Sequence, residues 1–246
     1  MGYQYYTDTV KKFDRNTFQK SIAGCLKIGQ FRLNPSLRDV DSLIFLHRTP
    51  ILAQWFAQLP EGLVCIDIGG RIQPYRSLLE TKVTRYIAVD IQMEGLVNVL
   101  ATAANLPFEG NSCDVILCTD TLQYIPNALG AIKEMHRALK PGGKLMLSTR
   151  GFYPEHHDEC GRFLPDGLRY LTRMFSAVEI APEGYSGSGL LTSINVLLHR
   201  NVSSPRWAQI AARTSIPLLN RIGMCLDHLI GHNSRSTCSY SLLAIK

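Results

Sequence analysis

The run Val64-Cys-Ile-Asp-Ile-Gly-Gly-Arg-Ile-Gln-Pro-Tyr75 is a short apolar, β-branched stretch that breaks into a paired-glycine turn. The next apolar run, Tyr86-Ile-Ala-Val-Asp90, ends in a carboxylate 21 positions after Gly69. Glycines let a backbone turn sharply against a ligand, and a carboxylate at that remove, roughly 20 residues on, can accept two hydrogen bonds from a ribose diol. The chemistry implied is the holding of a nucleoside-bearing cofactor. A second cluster, His156-His157-Asp158, offers an imidazole that titrates near neutrality and can take a proton from a hydroxyl or ammonium. His157 with Asp158 is the candidate base and His156 its substitute; the alternative is that these groups cap helices or hold their loop together.

These residues need a scaffold that alternates strand and helix. Strands are expected near 63–68, 85–90, 113–118 and 144–149, a further one at 177–181, and helices near 76–82, 127–139 and 166–174, the last with Asp166 as N-cap. Strand–helix alternation demands a parallel sheet with crossovers. Asp39 to Leu59 carries a helical apolar stripe with a kink or break expected at Pro50, and Lys140-Pro-Gly-Gly143 reads as a helix stop. Pro205 to Ile230 reads as one or two helices broken at Pro217, followed by a last strand over 240–246. Residues 1–38, with Tyr3, Tyr5, Tyr6, Phe13 and Phe18 in a basic context, read as a cover or as an ordinary packing extension.

The fingerprint G-x-G-x-x-G is absent, and Pro74-Tyr75 spoils a helix N-terminus open to a pyrophosphate, so a cofactor without a diphosphate fits better than NAD. Downstream lie Asn105-Leu-Pro-Phe-Glu-Gly-Asn-Ser-Cys-Asp-Val-Ile-Leu-Cys-Thr-Asp120, Leu122-Gln-Tyr-Ile-Pro126 and Ala131-Ile-Lys-Glu-Met-His-Arg-Ala-Leu-Lys-Pro-Gly-Gly-Lys-Leu-Met-Leu-Ser148. With the glycine turn, these four blocks in order resemble the class I S-adenosylmethionine-dependent methyltransferases, specifically the type 11-like small-molecule and glycan branch. The resemblance implies a Rossmann-like α/β fold: a seven-stranded, mostly parallel sheet, helices on both faces, an antiparallel last strand, an N-terminal cover and a C-terminal helical insertion. It implies S-adenosylmethionine as cofactor and methyl transfer to an oxygen or nitrogen of a small metabolite or sugar-containing acceptor.

The same resemblance assigns Asp67, Gly69 and Gly70 to the methionine end of the cofactor, Asp90 to the ribose, Ile91 to adenine packing, and Thr102 with Ala103 to the adenine edge; Arg71, next in the loop, either crowds the cofactor or is directed outwards. The turn Cys118-Thr119-Asp120 would line the site at the end of the fourth strand, with Tyr124 beyond it. Tyr153, Tyr124 and Arg162 fall to the acceptor side, because Tyr153 to Leu168 is similar to the branch's "H-D-…-R-F-T-P-E-G-L" segment; Arg162 is either a carboxylate or phosphate clamp or a structural ion-pair partner. Three positions depart from the family: Arg71 replaces a glycine, Thr102 an aspartate, and Tyr124 a histidine. These departures motivate an alternative, a catalytically inactive methyltransferase-like scaffold serving as an interaction or regulatory partner.

Composition bounds the rest. The 246 residues are 46% hydrophobic, enough for a sizeable core, no apolar run reaches membrane-span length, and no signal-peptide core is visible, so the expected location is the cytoplasm. The seven cysteines include no C-x-x-C pair, which argues against a disulfide framework and a metal site and for buried small apolar residues such as Cys65 and Cys118. The net charge of +6 divides into +4 over residues 1–50, −3 over 51–199 and +5 over 200–246. Basic ends fit an anionic substrate, a peripheral membrane contact through the C-terminal helices, or a solvated surface; no nucleic acid partner is expected, and a homodimer is possible. The expected organisation is a cover over 1–60, a cofactor-binding core over 61–200, and an insertion plus final strand over 201–246.

Overall fold

Leu63–Ile68 (β1) is apolar on both of its faces apart from Asp67, so it requires cover above and below the sheet. In the computed structural model, which describes residues 15–154, 158–199, 206–231, 233–234 and 236–246, that cover comes from helices on either side. Ile66 and Ile68 pack against Ile132 and Met135 of Ala128–Ala138 (α4) and Leu168 of Pro165–Leu171 (α5). Cys65, pointing the other way, packs with Leu52, Trp55 and Phe56 of Ser42–Ala57 (α2) and Leu79 of Arg76–Leu79 (α3). The result is three layers around one sheet.

The sheet has seven strands. Besides β1 they are Val83–Asp90 (β2), Val99–Leu100 (β3), Cys113–Thr119 (β4), Leu139–Arg150 (β5), Ala177–Pro182 (β6) and Ser239–Ile245 (β7), in the order β3-β2-β1-β4-β5-β7-β6. Ile66 of β1 stands between Ile87 of β2 and Ile116 of β4 in parallel register, and Ile116 pairs with Leu145 of β5. β7 enters between β5 and β6, antiparallel to both. The expected mostly parallel Rossmann-like sheet with an antiparallel last strand is therefore present.

Several local expectations need correction. α2 continues through Pro50, because the carbonyl that loses its donor belongs to exposed Leu46 on the outer face. Arg206–Leu229 (α7) likewise continues through Pro217, whose missing partner is the carbonyl of exposed Arg213. Lys140-Pro-Gly-Gly143 follows the end of α4 at Ala138, yet it lies within β5: Gly142 takes φ 77° and its N–H reaches the carbonyl of Lys246 at 3.0 Å, tying the turn to the end of β7. α5 is capped by Leu164, with Pro165 first in the helix and Asp166 in its first turn. A helix absent from the sequence reading, Ser186–His199 (α6), pairs with α7, so the helical insertion starts at Ser186 and not at residue 201. The first helix, Arg15–Leu33 (α1), supplies the cover; Tyr3, Tyr5, Tyr6 and Phe13 lie outside the described residues.

Candidate functional site

The strand order switches sides between β1 and β4, with β2 and β3 added on one side of β1 and β4 and β5 on the other, and in open α/β sheets ligands bind outside the carboxyl ends of the strands at such a switch point. Gly69 and Gly70 follow β1, Asp90 closes β2, Thr119 closes β4, and Arg150 closes β5. All stand on that one edge.

The turn after β1 tolerates no side chains. Gly69 takes φ 75°, and a Cβ there would collide with Thr121; one on Gly70 would press on Asp67 and Ala88. Both glycine N–H groups donate to the carbonyl of Val89, at 2.8 and 3.3 Å, which locks the turn to β2. Asp67 is buried beneath it and accepts a hydrogen bond from the Tyr86 hydroxyl at 2.7 Å. Burial pushes its pKa up to about 7, against the lowering effect of that hydrogen bond, with Asp90 adding a smaller upward push. A cation brought to this turn would favour the ionised form.

Arg71 is directed outwards. Its guanidinium reaches Gln92 at 3.2 Å and Glu94 at 3.5 Å, and its carbonyl accepts from Leu96 N–H at 3.0 Å, so it braces the segment after β2 and leaves the glycine turn open. Asp90 is partly buried, accepts from Gln92 N–H at 3.0 Å, and has its pKa raised by burial. Beside it Ile91 is half exposed, an apolar surface without cover. Thr102 is exposed and bridges to Asn105, with Ala103 buried next to it. The glycine cradle, the carboxylate at the end of β2 and the uncovered Ile91 fit a nucleoside-bearing sulfonium cofactor. α1 lies across this cradle: Gly29 meets the carbonyl of Ile72, and Cys25 meets Gly95.

Between β4 and β5 the edge holds an ion cluster. Arg48 of α2 is fully buried and grips Asp120 with two hydrogen bonds, 2.6 and 2.9 Å, and Glu183 with two more, 2.9 and 2.7 Å. Arg32 and Arg150 each approach Asp120 at 3.4 Å. Burial would raise the Asp120 pKa; the guanidinia of Arg150, Arg48 and Arg32 together outweigh it and hold the carboxyl well below the usual carboxylate range. Asp120 also sits at φ 51°, an uncommon conformation for a non-glycine residue, immediately beyond β4. A carboxylate so strongly neutralised is a poor proton acceptor, so Asp120 organises the edge and is no general base. Burial likewise pushes the Cys118 thiol well up, which leaves it inert packing; Cys65 and Cys118 are both fully buried, as expected. Thr119, next in the strand, is buried too.

The described residues of Tyr153 to Leu168 are gathered to the same edge. The carbonyl of Gln123 accepts from Cys160 and Gly161 N–H at 2.6 and 3.2 Å, pinning this loop to the short 3-10 turn Leu122–Tyr124, where Tyr124 is exposed. Tyr153 is buried, donates to Asp41 at 2.6 Å, and carries the Arg150 guanidinium 4.3 Å from its ring centre. Arg162 pairs with Glu159 and with the Pro154 carbonyl, 3.1 Å away, and lies 6.0 Å from the same ring. Arg150 and Arg162 each keep one buried Nη1 without a partner, and so does the Tyr75 hydroxyl. Asp158 is exposed at φ 64°, and His156 and His157 lie outside the described residues.

The sequence reading missed Arg32, Arg48, Arg150 and Glu183. A signal for Arg48 existed: it continues the buried stripe Ile44, Leu52, Trp55 at helical spacing, and an arginine on a core-facing stripe needs buried partners.

Residues 53–147 match the model of a methyltransferase domain. The sheet they help to build has the Rossmann-like fold of methyltransferases. Demethylmenaquinone methyltransferase of Staphylococcus epidermidis is 44% identical over 54 residues, 22% of each chain. Malonyl-[acyl-carrier protein] O-methyltransferase of a Marinomonas species is 37% identical over 124 residues, 43% of this chain and 46% of that one. The chain thus spans between about a fifth and about half the length of the curated relatives it matches. Phosphoethanolamine N-methyltransferase 2 of Haemonchus contortus, solved with S-adenosyl-L-methionine, superposes with a TM-score of 0.55 at 15% identity, covering 89% of this chain and 60% of that one. That likeness is one of fold. It covers more of the chain than the matched residues do.

Proposed function

We propose that this protein transfers a methyl group from S-adenosylmethionine to an oxygen or nitrogen of a small-molecule acceptor. The observation that carries the reading is the cradle at the β1/β4 switch point, with Asp67 and Asp90 on either side of a glycine turn that admits no side chain. When bound, the cofactor supplies a methyl carbon made electrophilic by its sulfonium. Asp90 accepts from the ribose hydroxyls, Ile91 covers adenine, and Asp67 answers the positive end of the cofactor. The enzyme's remaining task is to hold acceptor and methyl in line away from water, which falls to α1 and to the loop pinned on Gln123. His157 is the proposed base, with Asp158 and His156 beside it. The unpartnered guanidinium nitrogens of Arg150 and Arg162 on one tyrosine ring support an acceptor with a carboxylate or phosphate; a sugar bearing such a group would also fit.

One feature favours the alternative of a non-catalytic scaffold: the Arg48, Asp120 and Arg150 cluster fills the edge between β4 and β5. Thermal shift separates the readings, since a ligand bound only by the native state raises the melting point. S-adenosylmethionine and S-adenosylhomocysteine are expected to raise it and NAD to leave it unchanged. Absence of any shift with the first two supports the scaffold.

A further inference from the structure

Beneath the glycine turn stands a carboxylate that is short of donors. Asp67 is buried, and a Cβ on Gly70 would meet its Oδ2 at 2.8 Å, so the carboxylate lies directly under the turn. An ionised carboxylate offers about four acceptor sites. Among the described residues one side chain donates to this one: the Tyr86 hydroxyl, which reaches Oδ2 at 2.7 Å and leaves Oδ1 for a ligand. Register accounts for the pairing. Asp67 stands opposite Ala88 of β2, and Tyr86, two residues earlier on the same face, spans the diagonal.

Tyr86 is itself held in place. The Arg76 guanidinium of α3 lies 5.2 Å from its ring centre and donates to Gln73 at 3.0 Å, and Gln73 donates to the carbonyl of Leu96 at 2.6 Å. Gln73 sits at φ 42°, an uncommon conformation for a non-glycine residue, in the loop that continues the glycine turn. Burial and the neighbouring Asp67 push the Tyr86 hydroxyl well up, so it stays a donor across the physiological range. A donor held on a buried carboxylate favours the ionised form, which is the form a cation needs. The other titratable groups around Asp67 are the Cys65 and Cys118 thiols, both pushed well up by burial, and Asp90 at the end of β2, whose charge opposes the Asp67 anion. We propose that Tyr86 is a positioning residue for the cofactor, acting through Asp67: its hydroxyl fixes one carboxylate oxygen and keeps the other as an anionic seat for the α-ammonium of the methionine tail. The inference rests on the methyl-transfer reading and adds to it the residue that charges the seat.

Calorimetry on the full chain across neutral and mildly alkaline pH tests it, with two probes: S-adenosylhomocysteine, which keeps the ammonium, and 5′-methylthioadenosine, which lacks the amino-acid tail. Tyr86→Phe keeps the ring and its Arg76 contact and removes the donor. Burial pushes Asp67 up to about 7, which leaves it about half ionised at neutral pH, and a further unit would leave roughly a tenth. The variant is therefore expected to bind S-adenosylhomocysteine about fivefold more weakly at neutral pH and to approach the wild type as pH rises. 5′-Methylthioadenosine should bind both forms equally at every pH. Arg76→Ala, at an exposed position, loosens the same ring without emptying the core and should shift the profile the same way by less. Asp67→Asn should bind S-adenosylhomocysteine weakly throughout. An equal loss for both probes, or a loss that is the same at every pH, marks a merely structural tyrosine and overturns the proposal, as does an Asp67→Asn chain that keeps the wild-type profile. A wild type that binds neither probe overturns it together with the methyl-transfer reading. A wild type that binds both, with unshifted profiles in Tyr86→Phe and Arg76→Ala, overturns it alone.

Discussion

Arg48→Met tests whether the buried ion cluster holds the two halves of the edge together. Arg48 makes four short hydrogen bonds to Asp120 and Glu183 and a longer one, 3.2 Å, to Ser239, all without solvent access. Methionine matches the stem but leaves Glu183 charged and buried beside Ser241, with Asp120 held, among the described residues, by the looser contacts of Arg32 and Arg150. Breaking a buried pair from one side costs about 3–5 kcal/mol, a large part of the roughly 5–15 kcal/mol that a domain has. At about 2–4 °C per kcal/mol for a chain of this size, the melting point should fall by roughly 10 °C. Urea unfolding gives the free energy directly. Glu183→Gln added to Arg48→Met removes the stranded charge, and the double variant should recover part of the loss. A single-variant loss below about 1 kcal/mol, or no recovery in the double variant, would show that the cluster behaves as a solvated surface pair and would refute the reasoning.

The remaining predictions concern the cradle and the base. Asp67 has a folded pKa raised to about 7, so between the unfolded carboxylate range and pH 7 the native state holds a proton that the unfolded chain has released; stability from this group falls as pH rises through that window, and Asp67→Asn should flatten the slope in pH-dependent urea melts. Binding of cationic S-adenosylmethionine near pH 7 should expel that proton, visible as a binding enthalpy that changes with the ionisation enthalpy of the buffer; a buffer-independent enthalpy speaks against Asp67 at the methionine end. Asp90→Ala should weaken cofactor binding about tenfold to a hundredfold by calorimetry, and unaltered affinity would sink the ribose assignment. His157→Ala should lower the single-turnover rate far more than cofactor affinity, and unchanged turnover with the true acceptor would remove His157 from the mechanism.

The fold was largely legible because β1, β4 and β5 are apolar runs bounded by turn residues, and the pattern of a covered parallel strand is local. So was the cradle: a glycine turn and a carboxylate at the end of the next strand are neighbours for any right-handed crossover. The prolines misled, since Pro50 and Pro217 stand where the lost hydrogen bond faces outwards, a fact of burial that propensity does not contain. α6 escaped because Ser186-Gly-Ser-Gly189 opens it with poor helix formers; its close packing against α7 at Gly187 and Gly223 stabilises it and is non-local.

The ion cluster was illegible for a deeper reason. Asp120, Arg150 and Glu183 come from three strand ends far apart in sequence, and Arg48, from a helix before all of them, is what joins Glu183 to Asp120 across the intervening strands. Arg48 alone announced itself, as the one charge on the core-facing stripe of α2. Its position carries a functional argument: α2 follows α1, so the residue that grips Asp120 at the end of β4 also anchors the cover that lies across the cofactor cradle. Arg32 of α1 approaches the same carboxylate at 3.4 Å, less closely than Arg48 and partly exposed. The edge is therefore tied to α1 by the weaker of the two contacts and to α2 by the stronger one.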